Sequence, residues 1–204
     1  PQYIEELGGA GIDMINLSVD SVEPFEESKK DFLRSKDVLM RLIEARKKFG
    51  FELVVNLVMS NKNIDTVIPT IEMINEFHIP LSIGLMVKNT YSQKELDPSL
   101  FFDTPHARKR LFGVLDSILK LWGKGYNIID PPQYFRDIRK YIQNGLDWGC
   151  LAGEYIFSVD YEGRFLICSS LPPEDLTIFG MNSSYYRTLA DLRRERMIVC
   201  KKDC

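Results

Sequence analysis

Cys150, Cys168, Cys200 and Cys204 are the four cysteines of this 204-residue chain, and no thiol precedes position 150. Thiolates are soft ligands that suit zinc or an iron–sulfur cluster. The sequence opens on Pro1-Gln2-Tyr3-Ile4 without a signal-peptide pattern, so a disulfide framework is the weaker reading. Cys200 and Cys204 are four apart, one turn if that stretch is helical, so both thiolates can face one point. Cys150 and Cys168 flank two strand-like runs joined by Asp160-Tyr161-Glu162-Gly163, a turn sequence. Antiparallel pairing brings such ends together, with strands about 4.8 Å apart. Structural zinc generally uses paired short Cys-x-x-Cys knuckles. Only one short pair exists here, and dispersed single ligands suit an iron–sulfur cluster better. Zinc, or unrelated buried thiols, remain the other readings.

Three polar residues in the first part of the chain also stand out. Ser18 and Asp20 end a strand-like run, and Asn56 interrupts an otherwise apolar one. Their plain readings are a turn-forming strand end with a helix cap, and a satisfied buried amide. His78, at a helix C-terminus, and His106, in a first helical turn, are assigned no chemistry.

The elements that position these residues alternate. Strands are expected over 12–19, 51–59, 80–87 and 126–129, and helices over 31–49, 64–77, about 104–124 and about 132–144, with a short helix before Gly8-Gly9. Each long connection carries a helix, which requires parallel strands with crossovers, an α/β arrangement. Lys88 to Asp103 is a polar loop long enough to be functional. The pattern changes near residue 145. A β-hairpin over 154–168 follows, then a polar stretch and a short helix over 186–196.

Charge and hydropathy narrow the partners. Lys and Arg total 26 against 29 Asp and Glu, a net charge of −3, which points to neither nucleic acid nor an acidic membrane surface. The longest apolar runs, such as Phe51 to Met59, fall far short of the roughly 18 residues needed to span a bilayer. A cytoplasmic location is expected.

Two stretches resemble a known family. Gly11 through Ser21 is similar to a fourth barrel strand with its Ser-x-Asp end. Trp148-Gly149-Cys150-Leu151-Ala152-Gly153, running through Gly163 to Cys168, reproduces a C-x(9–15)-G-x4-C opening. Together they resemble the radical S-adenosylmethionine (radical SAM) superfamily, in members with a C-terminal SPASM or Twitch domain.

The resemblance implies a partial (β/α) barrel over residues 1–145, the C-terminal half of a TIM-barrel-like radical SAM domain. A small hairpin-plus-helix domain over 146–204 would follow. There Cys150, Cys168, Cys200 and Cys204 would hold one auxiliary 4Fe-4S cluster, with zinc or an empty site as alternatives. Ser18 and Asp20 would lie near the ribose of S-adenosylmethionine, Asn56 would face the cofactor cavity, and Ile83 and Met86 would back the adenine. The parent protein would cleave S-adenosylmethionine to a 5′-deoxyadenosyl radical that abstracts hydrogen. Its substrate would be a peptide or small molecule, and its electron donor a ferredoxin or flavodoxin.

The sequence departs from the family pattern in lacking CxxxCxxC and the glycine-rich second-strand motif. We therefore expect a C-terminal piece of an iron–sulfur oxidoreductase, missing three front strands and inactive alone. Its unpaired sheet edge would favour self-association. No catalytic acid or base is assigned. The alternative is a zinc- or cluster-stabilised binding module without enzymatic activity.

Overall fold

The computed structural model describes residues 2–25, 28–86, 97–145, 151–155, 158–168, 171, 173–180, 182 and 184–199. These divide into two compact units, one from Pro1–Met86 with Pro98–Ile142 and one from Val87–Asp97 with Gln143–Cys204.

The first unit is a parallel sheet covered by helices. Its order is α1 (Gln2–Gly9), β1 (Met14–Ser18), α2 (Phe32–Phe49), β2 (Glu52–Met59), α3 (Val67–Asn75), β3 (Leu81–Leu85), α4 (Pro105–Gly123) and α5 (Pro132–Asn144). The strands lie in the order β1-β2-β3, with Ser18 opposite Asn56 and Asn56 opposite Ser82. Leu53, Val55, Leu57 and Met59 alternate onto one face and are fully buried against the helix layer. Ile15, Leu17, Leu81 and Ile83 share that face by register. Burial of such side chains contributes about 25 cal/mol per Å² of apolar surface.

Helix limits follow from their caps. Asp31 accepts the Arg34 N–H at 3.0 Å and starts α2, and left-handed Gly50 ends it by donating to the Arg46 carbonyl. Thr104 accepts the Ala107 N–H at 3.1 Å, with Pro105 opening α4. The helix expected over 64–77 splits into a 3₁₀ turn, Ile64–Thr66, and α3. It ends early because His78 takes a left-handed conformation, φ 54°, before Pro80.

The fourth expected strand is corrected to a single bridge. Over 126–129 only Ile128 pairs, with Leu81, between Gly125 in the left-handed region and Pro131-Pro132, which cannot continue a ladder. Of the expected polar loop, 88–96 lies outside the described residues. Its end is ordered by Asn61, which bonds to the carbonyls of Leu100 and Ser99.

The second unit holds a short antiparallel pair, β4 (Ser158–Val159) and β5 (Phe165–Leu166), around the 160–163 turn, and α6 (Tyr185–Val199). Residues 174–178, expected to be an irregular polar stretch, run antiparallel beside 163–165 through bonds of Phe165, Glu174 and Ile178. Phe165 and Leu189 form the small buried core, with Leu176 packed on it. No described helix is long and apolar enough to cross a membrane.

Candidate functional site

The open face of the sheet carries a polar line. Side chains alternate along a strand, so Met14, Asn16 and Ser18 of β1 share a face with Glu52, Val54, Asn56 and Val58 of β2 and with Ser82 and Gly84 of β3. Ser18, Asn56 and Ser82 stand side by side in register, each half-buried. One position further along, Gly84 borders open space where a Cβ would project. Two of the three residues expected at the cofactor, Ser18 and Asn56, are thus adjacent on one face of the sheet. Ser82 was not anticipated, although a serine alternating with Leu81 and Ile83 marks the same face.

Asp20 lies where β1 leaves the sheet. Its Oδ1 accepts the Val58 N–H at 3.0 Å, its Oδ2 accepts the Ser28 hydroxyl at 3.2 Å, and the residue is 7% exposed. Burial pushes its carboxyl above the usual range, against the Val58 bond, the Lys30 charge and the Ser28 bond. Asn63, expected only as a turn residue, organises the same corner. Its amide donates to the Asp20 and Val58 carbonyls at 2.8 and 2.9 Å, and its oxygen accepts the Ser60 N–H at 2.7 Å.

At the other side of the sheet Asp130 repeats the device. Its Oδ2 accepts the Ile83 N–H at 2.6 Å, and its Oδ1 lies 3.4 Å from Ser82 Oγ. Burial, then the Asp130 charge, raises the Tyr134 phenol above its ordinary range. Ile83 itself is fully buried on the helix face, so it is core and does not border the open face. Met86 follows β3 and donates its N–H to the Met59 carbonyl.

Of the four cysteines, Cys150, Cys200 and Cys204 lie outside the described residues. Cys168 is half-buried and in no disulfide. Among the described residues no His, Cys, Asp or Glu group is arranged to hold a metal ion. The neighbours of the cysteines do converge. A Cβ on Gly153, three after Cys150, would meet Ile167, one before Cys168, at 2.6 Å. Arg193 of α6, the helix that leads to Cys200, donates to the Ala152 carbonyl at 2.9 Å and pairs with Glu154. The turn between β4 and β5 is held by Asp160, which accepts from the Glu162 and Arg164 N–H groups at 2.9 Å and from the Arg164 guanidinium at 2.8 Å. Burial opposes its ionisation, but these donors hold its carboxyl below the usual carboxylate range.

No family model and no curated protein matches the chain. Solved structures do. One, described as native anSMEcpe with bound AdoMet, superposes with a TM-score of 0.53 at 18% identity over 90% of this chain and 54% of that one. Native anSMEcpe with bound AdoMet and Kp18Cys peptide matches at 0.51 and 17% identity, and the Cp18Cys peptide complex at 0.53 and 17%. Each of these two covers 90% of this chain and 55% of the matched one. The likeness is one of fold, and the chain spans about half the length of these structures.

Proposed function

We propose that this chain is the C-terminal portion of an iron–sulfur oxidoreductase of the radical SAM type. Residues 1–145 would be its half-barrel and 146–204 a SPASM/Twitch-like domain with one auxiliary cluster. The observation that carries this is the fold match, which extends over 90% of the chain to structures holding AdoMet. CxxxCxxC is absent from this sequence, so the reading assigns it part of the cofactor cavity without the radical-generating cluster.

The residue types suit both groups. Ser18 and Asn56 offer a hydroxyl and an amide side by side, suited to a ribose diol, and Gly84, one position further along the same face, adds no side chain there. Asp20 is a positioning residue: its carboxylate holds Val58 and Ser28, which keeps the end of β1 beside β2. Cys150, Cys168, Cys200 and Cys204 would hold the auxiliary 4Fe-4S cluster, and the convergence of Gly153, Ile167 and α6 supports one shared site. When bound with a reduced cluster, S-adenosylmethionine supplies a hydrogen-abstracting radical. The peptide-bound neighbours favour a peptide substrate over another small molecule. A ferredoxin or flavodoxin would supply electrons to the parent protein. A zinc-stabilised binding module is the outcome if the thiolates take zinc alone.

Equilibrium dialysis against S-adenosylmethionine tests the cavity assignment. Saturable binding at one site per chain is expected, weakened about tenfold by Asn56→Ala through loss of a hydrogen bond. Absence of saturable binding, or no effect of the substitution, contradicts it.

A further inference from the structure

Charges of both signs line a cleft at the foot of the parallel sheet. Met14 and Glu52, the first residues of β1 and β2, stand in register, and Val54 shares their face by alternation. Together with Ile129, and with Arg46 and Lys47 from the last turn of α2, they line an open cleft of about 440 Å³. That volume suits a small molecule. Met14 lies four residues before Ser18 on β1, about 13 Å at about 3.3 Å per residue. The cleft is therefore separate from the row formed by Ser18 and Asn56.

The charged lining residues are unused. Lys48, next in the same turn of α2, pairs with Glu5. Among the described residues Arg46, Lys47 and Glu52 make no side-chain hydrogen bond or ion pair, with one another or with any other group. The dipole at a helix C-terminus favours cations, which accounts for Arg46 and Lys47. It does not account for Glu52 beside Met14 and Val54. Met14 and Ile129 are half-exposed large hydrophobics on the same cleft, so an apolar group that covers them gains by leaving water.

We infer that this cleft binds a free apolar α-amino acid. Its side chain covers Met14, Val54 and Ile129, its carboxylate meets Arg46 and Lys47, and its ammonium meets Glu52. A plain apolar anion would face the carboxylate of Glu52, and a plain apolar amine would face two cations. Only the zwitterion finds an opposite partner for each charge. The site does not depend on the S-adenosylmethionine reading.

The test is an NMR titration of the full chain at neutral pH with L-phenylalanine, phenethylamine and 3-phenylpropanoate, which share one apolar body and differ in their charged groups. Phenylalanine is expected to bind about fivefold tighter than either analogue, the upper range for ion pairs open to water, and to shift the methyl signals of Met14 and Ile129. Glu52→Gln should remove the advantage over phenylpropanoate. An Arg46→Gln, Lys47→Gln double variant should remove the advantage over phenethylamine. The comparison of the three ligands on the wild-type chain decides the matter even if a variant fails to fold. Equal affinity for phenylalanine and either analogue, no saturable binding, or advantages that survive both variants overturns the inference. Failure of S-adenosylmethionine to bind would leave this result unaffected, so the two readings fail separately.

Discussion

Asp20 Oδ1 accepts the Val58 N–H at 3.0 Å, the position a backbone carbonyl would take if β1 continued beside β2. The carboxylate thus extends the ladder by one rung after the chain has turned away. An oxygen at this position is essential to the sheet corner, whereas a charge is not. Asp20→Ala should destabilise the chain by about 1–3 kcal/mol, because it strands a buried N–H. Asp20→Asn should retain stability. Burial raises the folded carboxyl above its unfolded value, so the folded form binds the extra proton and wild-type stability falls as pH rises out of the carboxylate range. The stability of Asp20→Asn relative to wild type should therefore increase from about pH 3 to pH 7 in chemical denaturation. An unchanged difference contradicts the assignment.

Asn63 is the second support of that corner. It is 2% exposed and makes three bonds shorter than 3 Å, to the Asp20 and Val58 carbonyls and the Ser60 N–H. Asn63→Ala should cost more than about 2 kcal/mol, since several buried groups lose partners at once. A loss below about 0.5 kcal/mol, typical of neutral surface changes, would show that water replaces the side chain.

The free edge of β1 carries its own consequence. Val19 donates to Asn56 across the β2 side, and among the described residues no strand pairs on the other side. β1 reads Met-Ile-Asn-Leu-Ser, without charge or proline, and Met14 is 50% exposed. Edges of this kind pair with other chains unless charge blocks them. Sedimentation equilibrium should show concentration-dependent association that Asn16→Lys abolishes without altering the circular dichroism spectrum. A wild-type monomer at all concentrations is the opposing result.

Two glycines separate crowding from backbone strain. A Cβ on Gly8 would lie 2.4 Å from the Phe49 ring, where α1 packs on α2. Gly163 has φ 80° and faces Phe179, which is 82% exposed and free to swing aside. Gly163→Ala should therefore cost about 1 kcal/mol, from the left-handed conformation alone. Gly8→Ala should cost about 1–3 kcal/mol from overpacking, and Phe49→Leu should relieve part of it. Absence of that rescue in thermal unfolding would discount the contact.

The parallel layers were legible because hydrophobic alternation and caps agree. Phe51 to Met59 reads as a strand from its apolar run, and Asp31 and Gly50 bracket α2. The segment at 126–129 misled because its apolar residues match a strand, while Pro131-Pro132 ends the ladder after one bridge. Ser18 and Asn56 were found as polar breaks in apolar runs. Their adjacency was not, because parallel register is set by crossover packing rather than by either strand alone. Asp130 and Asn63 were missed because each works through side-chain bonds that reach another segment, and a turn residue carries no local sign of such a reach.

Metal content tests most directly whether the thiols at 150, 168, 200 and 204 hold one iron–sulfur cluster. After anaerobic reconstitution with iron and sulfide, about four iron and four sulfide per chain are expected, as for a 4Fe-4S centre. A Cys168→Ser, Cys200→Ser double variant should lose that iron and the visible absorbance. One zinc per chain with no iron uptake would contradict the cluster assignment.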